Sequence, residues 1–129
     1  MDGNRFEGLR ILLVDDDPDI LESMALAIKN EGADVATAAD GNTAVSLFHA
    51  HEPDAVVLDM MLPKRSGFLV LEKIQEADAP PPVVMITANQ GRRHMEYARN
   101  LGVSAYMVKP VALSMLMDKI SEVLDASDA

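Results

Sequence analysis

Short apolar runs alternate along this chain with longer amphipathic stretches, and the alternation repeats five times. "LRILLVD" (9–15) reads as a first strand. In "PDILESMALAIKNEG" the residues Ile20, Leu21, Met24, Ala25 and Ile28 share one helical face, Pro18 suits the first turn, and Gly32 suits the end. "ADVATAA" is more polar and fits a sheet edge, whereas the unbroken Val-Val-Leu of "DAVVLDM" (54–60) suits a strand covered on both faces. The helix "GNTAVSLFHAH" lies between them. The pattern continues through the helix "SGFLVLEKIQEA", the strand "PVVMITA", a less amphipathic helix over "GRRHMEYARNLG" and the strand "VSAYMVK". A last helix is expected from Ala112 to about Leu124, with Leu113, Leu116, Met117, Ile120 and Val123 facing inward. Pro80, Pro81 and Pro82 hold off the start of the fourth strand.

Five strand-helix units call for a parallel sheet with helices on both faces, because parallel neighbours need crossovers and crossovers are right-handed. The expected fold is an α/β, flavodoxin-like, doubly wound sheet of five parallel strands in the order 2-1-3-4-5 with five helices. With 129 residues the chain suits one domain, at 9–124, with an N-terminal extension at 1–8 and a C-terminal tail at 125–129.

Composition narrows the function. No apolar run is long enough to cross a bilayer and "MDGNRFEG" holds no signal-peptide core, so a cytoplasmic location is expected. The absence of cysteine excludes disulfides, thiolate metal sites and cysteine nucleophiles. A formal charge of −10, from 21 acids against 11 bases, makes the chain a poor direct ligand for nucleic acid or an anionic membrane. Proteins or cations are the expected partners.

In such a sheet, ligands sit outside the carboxyl ends of the strands where the strand order reverses. Strand one ends in Asp15 and Asp16, strand three in Asp59, strand four in Thr87 and strand five in Lys109. Three carboxylates on one rim repel one another, and a hard divalent cation, Mg²⁺ with Mn²⁺ as a substitute, relieves that repulsion. Asp16 and Asp59 are the expected direct ligands, with the Met61 backbone carbonyl, while Asp15 holds a metal-bound water. The three acids sum to −3, and Mg²⁺ with Lys109 supplies +3. Bare carboxylates would oppose an incoming phosphoryl group by about 4 kcal/mol per charge pair at an effective dielectric of about 20. Once neutralised, the rim can hold one. Asp59 is then the natural nucleophile, giving an aspartyl phosphate. The equatorial oxygens would be shared among the cation, Lys109, and the Thr87 hydroxyl with the Ala88 amide.

Five fragments in register, "LLVDDDP", "GNTA", "PDAVVLDMMLPKRSG", "MITA" and "YMVKP", resemble the receiver domain of two-component response regulators, over residues 9 to about 124. The departures are minor: Leu62 stands where Met is commoner before Pro63, and Asp17 follows the acidic pair. The resemblance implies a phosphoryl donor that is a histidine kinase or histidine phosphotransfer protein, and a chain that catalyses only its own phosphorylation and dephosphorylation. It implies a cis peptide at Lys109–Pro110 and a switch in which Tyr106 changes rotamer as Thr87 is drawn to the phosphate. The output goes to a downstream protein through the fourth helix, fifth strand and fifth helix. Met61 and Asn89 stand at the positions that tune phosphoryl lifetime, and an apolar Met61 cannot align a hydrolytic water, so slow autodephosphorylation is expected.

Other readings compete. Asp17 or Asp19 suits a helix cap. His49, His51 and His94 lack metal-ligand spacing and read as solvated surface, and Gly67 and Gly102 as backbone accommodations near helix boundaries. The nine methionines read mostly as core filler, with Met115, off the inner face of the last helix, free to join Tyr106 and residues 92–95 in a docking patch. A small Mg-dependent phosphohydrolase using Asp15 and Asp17 is weakened by Pro18 directly after, and a flavin carrier by the acids where an anion loop would sit. No output domain follows Leu124, so the chain reads as a stand-alone receiver or part of a longer regulator.

Overall fold

The computed structural model describes residues 5–88 and 91–128. Five strands, β1 (Arg10–Val14), β2 (Asp34–Ala38), β3 (Ala55–Asp59), β4 (Val83–Thr87) and β5 (Ala105–Val108), alternate with five helices. These are α1 (Pro18–Lys29), α2 (Gly41–His51), α3 (Gly67–Gln75), α4 (Arg92–Asn100) and α5 (Leu113–Asp128). The strands form one parallel sheet in the order β2-β1-β3-β4-β5. The expected doubly wound fold is therefore the observed one. β3 and β4 are buried along their whole length, and β2 is half exposed, as the Val-rich and polar sequences dictate.

Alternating strand side chains feed two core layers. Ile11, Leu13, Val57, Val84 and Ile86 meet Met24 and Ile28 of α1 and Leu116 and Ile120 of α5. On the other face Leu12, Val14, Val56, Leu58 and Met85 meet Phe48 of α2 and Val70, Leu71 and Ile74 of α3. Helix α4 gives that layer only Ala98 as a buried residue. Asp17 caps α1, its Oδ1 accepting from the Asp19 and Ile20 amides at 2.9 and 3.3 Å. Asp40 and Ser66 cap α2 and α3 in the same way, while α4 starts at Gly91 with no side-chain cap.

Three expectations change. Leu113, expected to face inward, is 39% exposed, because it begins α5 beyond the end of the sheet and borders a hollow shared with Ile20 and Lys109. Helix α5 runs on to Asp128 rather than stopping at Leu124. His51, expected at the surface, has a side chain only 16% exposed, with Nδ1 buried and unpartnered and Nε2 3.6 Å from Asp34 Oδ2. It lies at the last turn of α2, where Arg10 Nη1 donates to its carbonyl at 3.2 Å.

The segment before β1 also joins the body. Phe6 is 1% exposed within the α1/α5 layer, its amide donating to Glu31 O at 2.8 Å. Arg5 pairs with Asp118 of α5 at 2.6 Å. An isolated Phe without a periodic neighbour gives no strand or helix signal, so this anchor escapes pattern reading. Phe6→Ala is expected to cost about 3–5 kcal/mol of stability, as for buried Phe truncation elsewhere. Urea unfolding measures it, and a loss below about 1 kcal/mol would contradict the packing.

Candidate functional site

Parallel pairing of β1 with β3, with Val14 opposite Leu58, brings the residues after both strands to one rim. Asp15 and Asp59 are buried there and Asp16 is exposed. One oxygen from each of the three carboxylates lies within 4.8 Å of the others. Lys109, just past β5, reaches across the rim with Nζ 3.0 Å from Asp15 Oδ2 and 3.2 Å from Asp59 Oδ2. The second oxygen of each buried acid accepts a backbone amide, Asp17 N on Asp15 Oδ1 at 2.9 Å and Met61 N on Asp59 Oδ1 at 3.1 Å. The ammonium and the two amides favour charge on the buried acids, while the neighbouring carboxylates oppose it.

The backbone around Asp59 is tightly held. Met60 N donates to Ile86 O at 3.0 Å and Gly67 N to Met60 O at 2.8 Å. A Cβ on Gly67 would collide with the Asp59 carbonyl oxygen, and one on Gly41 with the Arg65 carbonyl oxygen. These two glycines let α3 and α2 close on the loop after β3, where Lys64 takes a left-handed φ of 68°. Their role is invisible to strand-end reading. Gly67 is the backbone accommodation at a helix boundary that its place after Pro63 and Ser66 suggests, whereas the close approach at Gly41 has no local signal.

Of the other site residues named from the sequence, Thr87 is fully buried at the end of β4 and its carbonyl accepts from Lys109 N at 2.8 Å. Ala88 is exposed directly after it, and Asn89 lies outside the described residues. The Met61 side chain projects into solvent. Tyr106 is half-buried against the α2/α3 layer, and burial pushes its hydroxyl pKa up. The Lys109–Pro110 peptide is cis. Asp17 is committed to the cap of α1, which leaves the Asp15/Asp17 hydrolase reading without support.

Burial pushes the Asp59 pKa up; the Met61 amide opposes this, the Asp15 charge adds to it, and Lys109 opposes it. For Lys109 burial pulls down, but the hydrogen bond to Asp15 and the charges of Asp59 and Asp15 outweigh it, and its pKa is raised. Three acids and one ammonium leave the rim two negative charges in excess. An all-oxygen donor set with one exposed member, carrying that excess, fits a hard divalent cation.

The family model of the response regulator receiver domain matches residues 11–121. This chain belongs to that family, the receiver domains of two-component response regulators. Among relatives, the transcriptional regulatory protein TrcR of Mycobacterium tuberculosis is 34% identical over 92% of this chain and 46% of its own length. The probable transcriptional regulatory protein TcrX of the same organism is 32% identical over 88% of this chain and 49% of its own. The chain therefore spans about half the length of these curated relatives. A CheY-like receiver domain from Methanospirillum hungatei superposes with a TM-score of 0.89 at 31% identity, covering 93% of this chain and 96% of that one. Among the described residues no helix is long and apolar enough to cross a membrane.

The raised Asp59 pKa fixes a stability trend. Because the folded chain holds that proton more tightly than the unfolded one, whose value is near 3.8, its contribution to stability falls as pH rises from there through the folded pKa. With metal chelated, Asp59→Asn is expected to raise the thermal midpoint at pH 7 by a few degrees, about 4 °C for each kcal/mol gained. The gap should close on acidification toward pH 4. A variant melting below wild type at pH 7 would show that Lys109 outweighs burial.

Proposed function

We propose that Asp59 accepts a phosphoryl group from the phosphohistidine of a histidine kinase or histidine phosphotransfer protein, with Mg²⁺ as the cofactor. The altered α4–β5–α5 face then signals to a downstream protein. The observation that carries the reading is the three-carboxylate cluster beside an ammonium that bridges its two buried members. Asp16, Asp59 and the Met61 carbonyl would hold the cation, with Asp15 orienting one of its waters. A divalent ion there supplies charge neutralisation for the carboxylates and for one oxygen of the transferring group.

The chain's own residues do the rest. One Asp59 carboxylate oxygen forms the new bond to phosphorus as the phosphorus–nitrogen bond opposite it breaks, and the imidazole leaves neutral, its proton on the other ring nitrogen. Lys109, already 3.2 Å from Asp59 Oδ2, shifts its ammonium onto a phosphoryl oxygen. The Thr87 hydroxyl and Ala88 amide donate to another, and the displacement of Thr87 gives the Tyr106 ring room to turn inward. Such a chain catalyses only its own phosphorylation and dephosphorylation. A donor of this kind implies work in the cytoplasm, and the formal charge of −10 disfavours direct contact with nucleic acid or an anionic membrane.

Incubation with acetyl phosphate and Mg²⁺ followed by intact-mass measurement tests this. A gain of one phosphoryl group is expected, lost in Asp59→Asn and in excess chelator; label surviving in Asp59→Asn would overturn the assignment. Mg²⁺ at about 100 times its Kd should add about 2.7 kcal/mol to stability. Asp16→Asn should abolish most of that gain, whereas an unchanged response would remove Asp16 from the cation site. Since Met61 offers no polar group to align water, the aspartyl phosphate should persist for minutes or longer. Met61→Asn should shorten that lifetime, and loss of the wild-type label within seconds would refute the role.

A further inference from the structure

The sulfur of this chain is all methionine: nine Met and no cysteine. Among the described residues Met24, Met60 and Met85 are buried and Met95, Met107 and Met117 half-buried, while two thioethers stand open, Met61 at 63% and Met115 at 61% exposure. The contrast is sharpest between neighbours in sequence, since Met60 is 1% exposed. Oxidation of a thioether follows access, so a diffusing oxidant meets positions 61 and 115 first.

The two open sites differ in what lies beside them. Met115 borders a hollow with Tyr106, Val111 and Lys119, and no carboxylate lines it. Met61 is held against the acceptor: its amide donates to Asp59 Oδ1 at 3.1 Å while its side chain stands in solvent. The backbone just before it is fixed from two directions, by Met60 N on Ile86 O at 3.0 Å and by Gly67 N on Met60 O at 2.8 Å. An oxygen added to the Met61 sulfur is therefore a new polar group on a residue anchored at the edge of the rim. The carboxylates there repel anionic oxidants but not a neutral peroxide.

We infer that Met61 is an oxidant-sensitive modification site, and that its sulfoxide, formed by hydrogen peroxide, shortens the life of the Asp59 phosphoryl group. A sulfur lone pair forms the S–O bond as the peroxide O–O bond breaks, and the second peroxide oxygen leaves with both protons as water. The thioether loses two electrons and the peroxide gains them. A sulfoxide oxygen accepts hydrogen bonds that a thioether accepts only weakly, so it orients a water for attack on phosphorus. A thiol-dependent reductase reverses the change, two thiols giving a disulfide and water. The inference rests on the proposed reading of Asp59 as the acceptor.

The test treats the full chain with limiting hydrogen peroxide. Peptide mass mapping should place the added oxygen on Met61 and Met115 before the buried and half-buried methionines. Oxidised and untreated chains are then loaded with acetyl phosphate and Mg²⁺, the donor is removed, and loss of label is followed by intact mass. The oxidised chain should lose its label about fivefold faster, the rate equivalent of one hydrogen bond gained in the transition state. Met115→Leu should keep this effect, Met61→Leu should abolish the response to peroxide, and methionine sulfoxide reductase with a thiol should reverse it. Met61→Gln, which carries a polar oxygen on a side chain of similar reach, should show the shortened lifetime without oxidant. Unfolding curves confirm that the oxidised chain and each variant fold. Oxidation of Met61 no sooner than of the buried methionines, a response that survives Met61→Leu, or a wild-type lifetime in Met61→Gln would each overturn the inference. Label taken up on Asp59 but lost at a rate indifferent to peroxide sinks this site alone. No uptake by the untreated chain sinks the acceptor reading and the inference with it.

Discussion

The ammonium of Lys109, lodged between Asp15 and Asp59, is the interaction on which the rim depends. Two buried carboxylates side by side are unfavourable in a folded chain, and each strand end would relax outward without a counter-charge. The sheet topology forces the problem, because β1 and β3 are neighbours at the point where strand order reverses. The same topology supplies the remedy by delivering Lys109 from the end of β5, its amide fixed on Thr87 O. What remains is an excess of negative charge open on one side at Asp16, and such an opening invites a cation.

Rigidity around Asp59 comes from backbone rather than side chains. The loop after β3 is clamped from below by the start of α3 at Gly67 and from the side by the start of α2 at Gly41. Both contacts leave no room for a methyl group. The carboxylate is therefore presented by three elements that meet at one point, which suits chemistry needing in-line placement.

The sheet was legible because β1, β3 and β4 have the length and branching of covered strands, and α1, α2 and α3 each begin at a capping side chain. Once strand order was set, Asp15, Asp16, Asp59 and Lys109 fell on one rim by topology alone. What escaped were features that depend on three-dimensional closeness without periodicity. Phe6 lies before any regular element, and Gly41 acts through a contact with Arg65, distant in sequence. Leu113 has the spacing of a core residue but borders an open hollow and stays 39% exposed, and His51 lies beside Asp34 and Arg10 at the starts of the neighbouring strands.

Helix α4 carries a consequence of its own. With Ala98 as its one buried residue and no side-chain cap at Gly91, it holds to the body mainly by the Phe68 ring, which stacks on His94 and meets Tyr97 edge-on. Little apolar area is exposed when it slides or frays, so its opening costs less than opening of the buried strands. The fold thus places a lightly anchored helix after the strand that ends in Thr87, where a rearrangement at the rim meets little packing resistance.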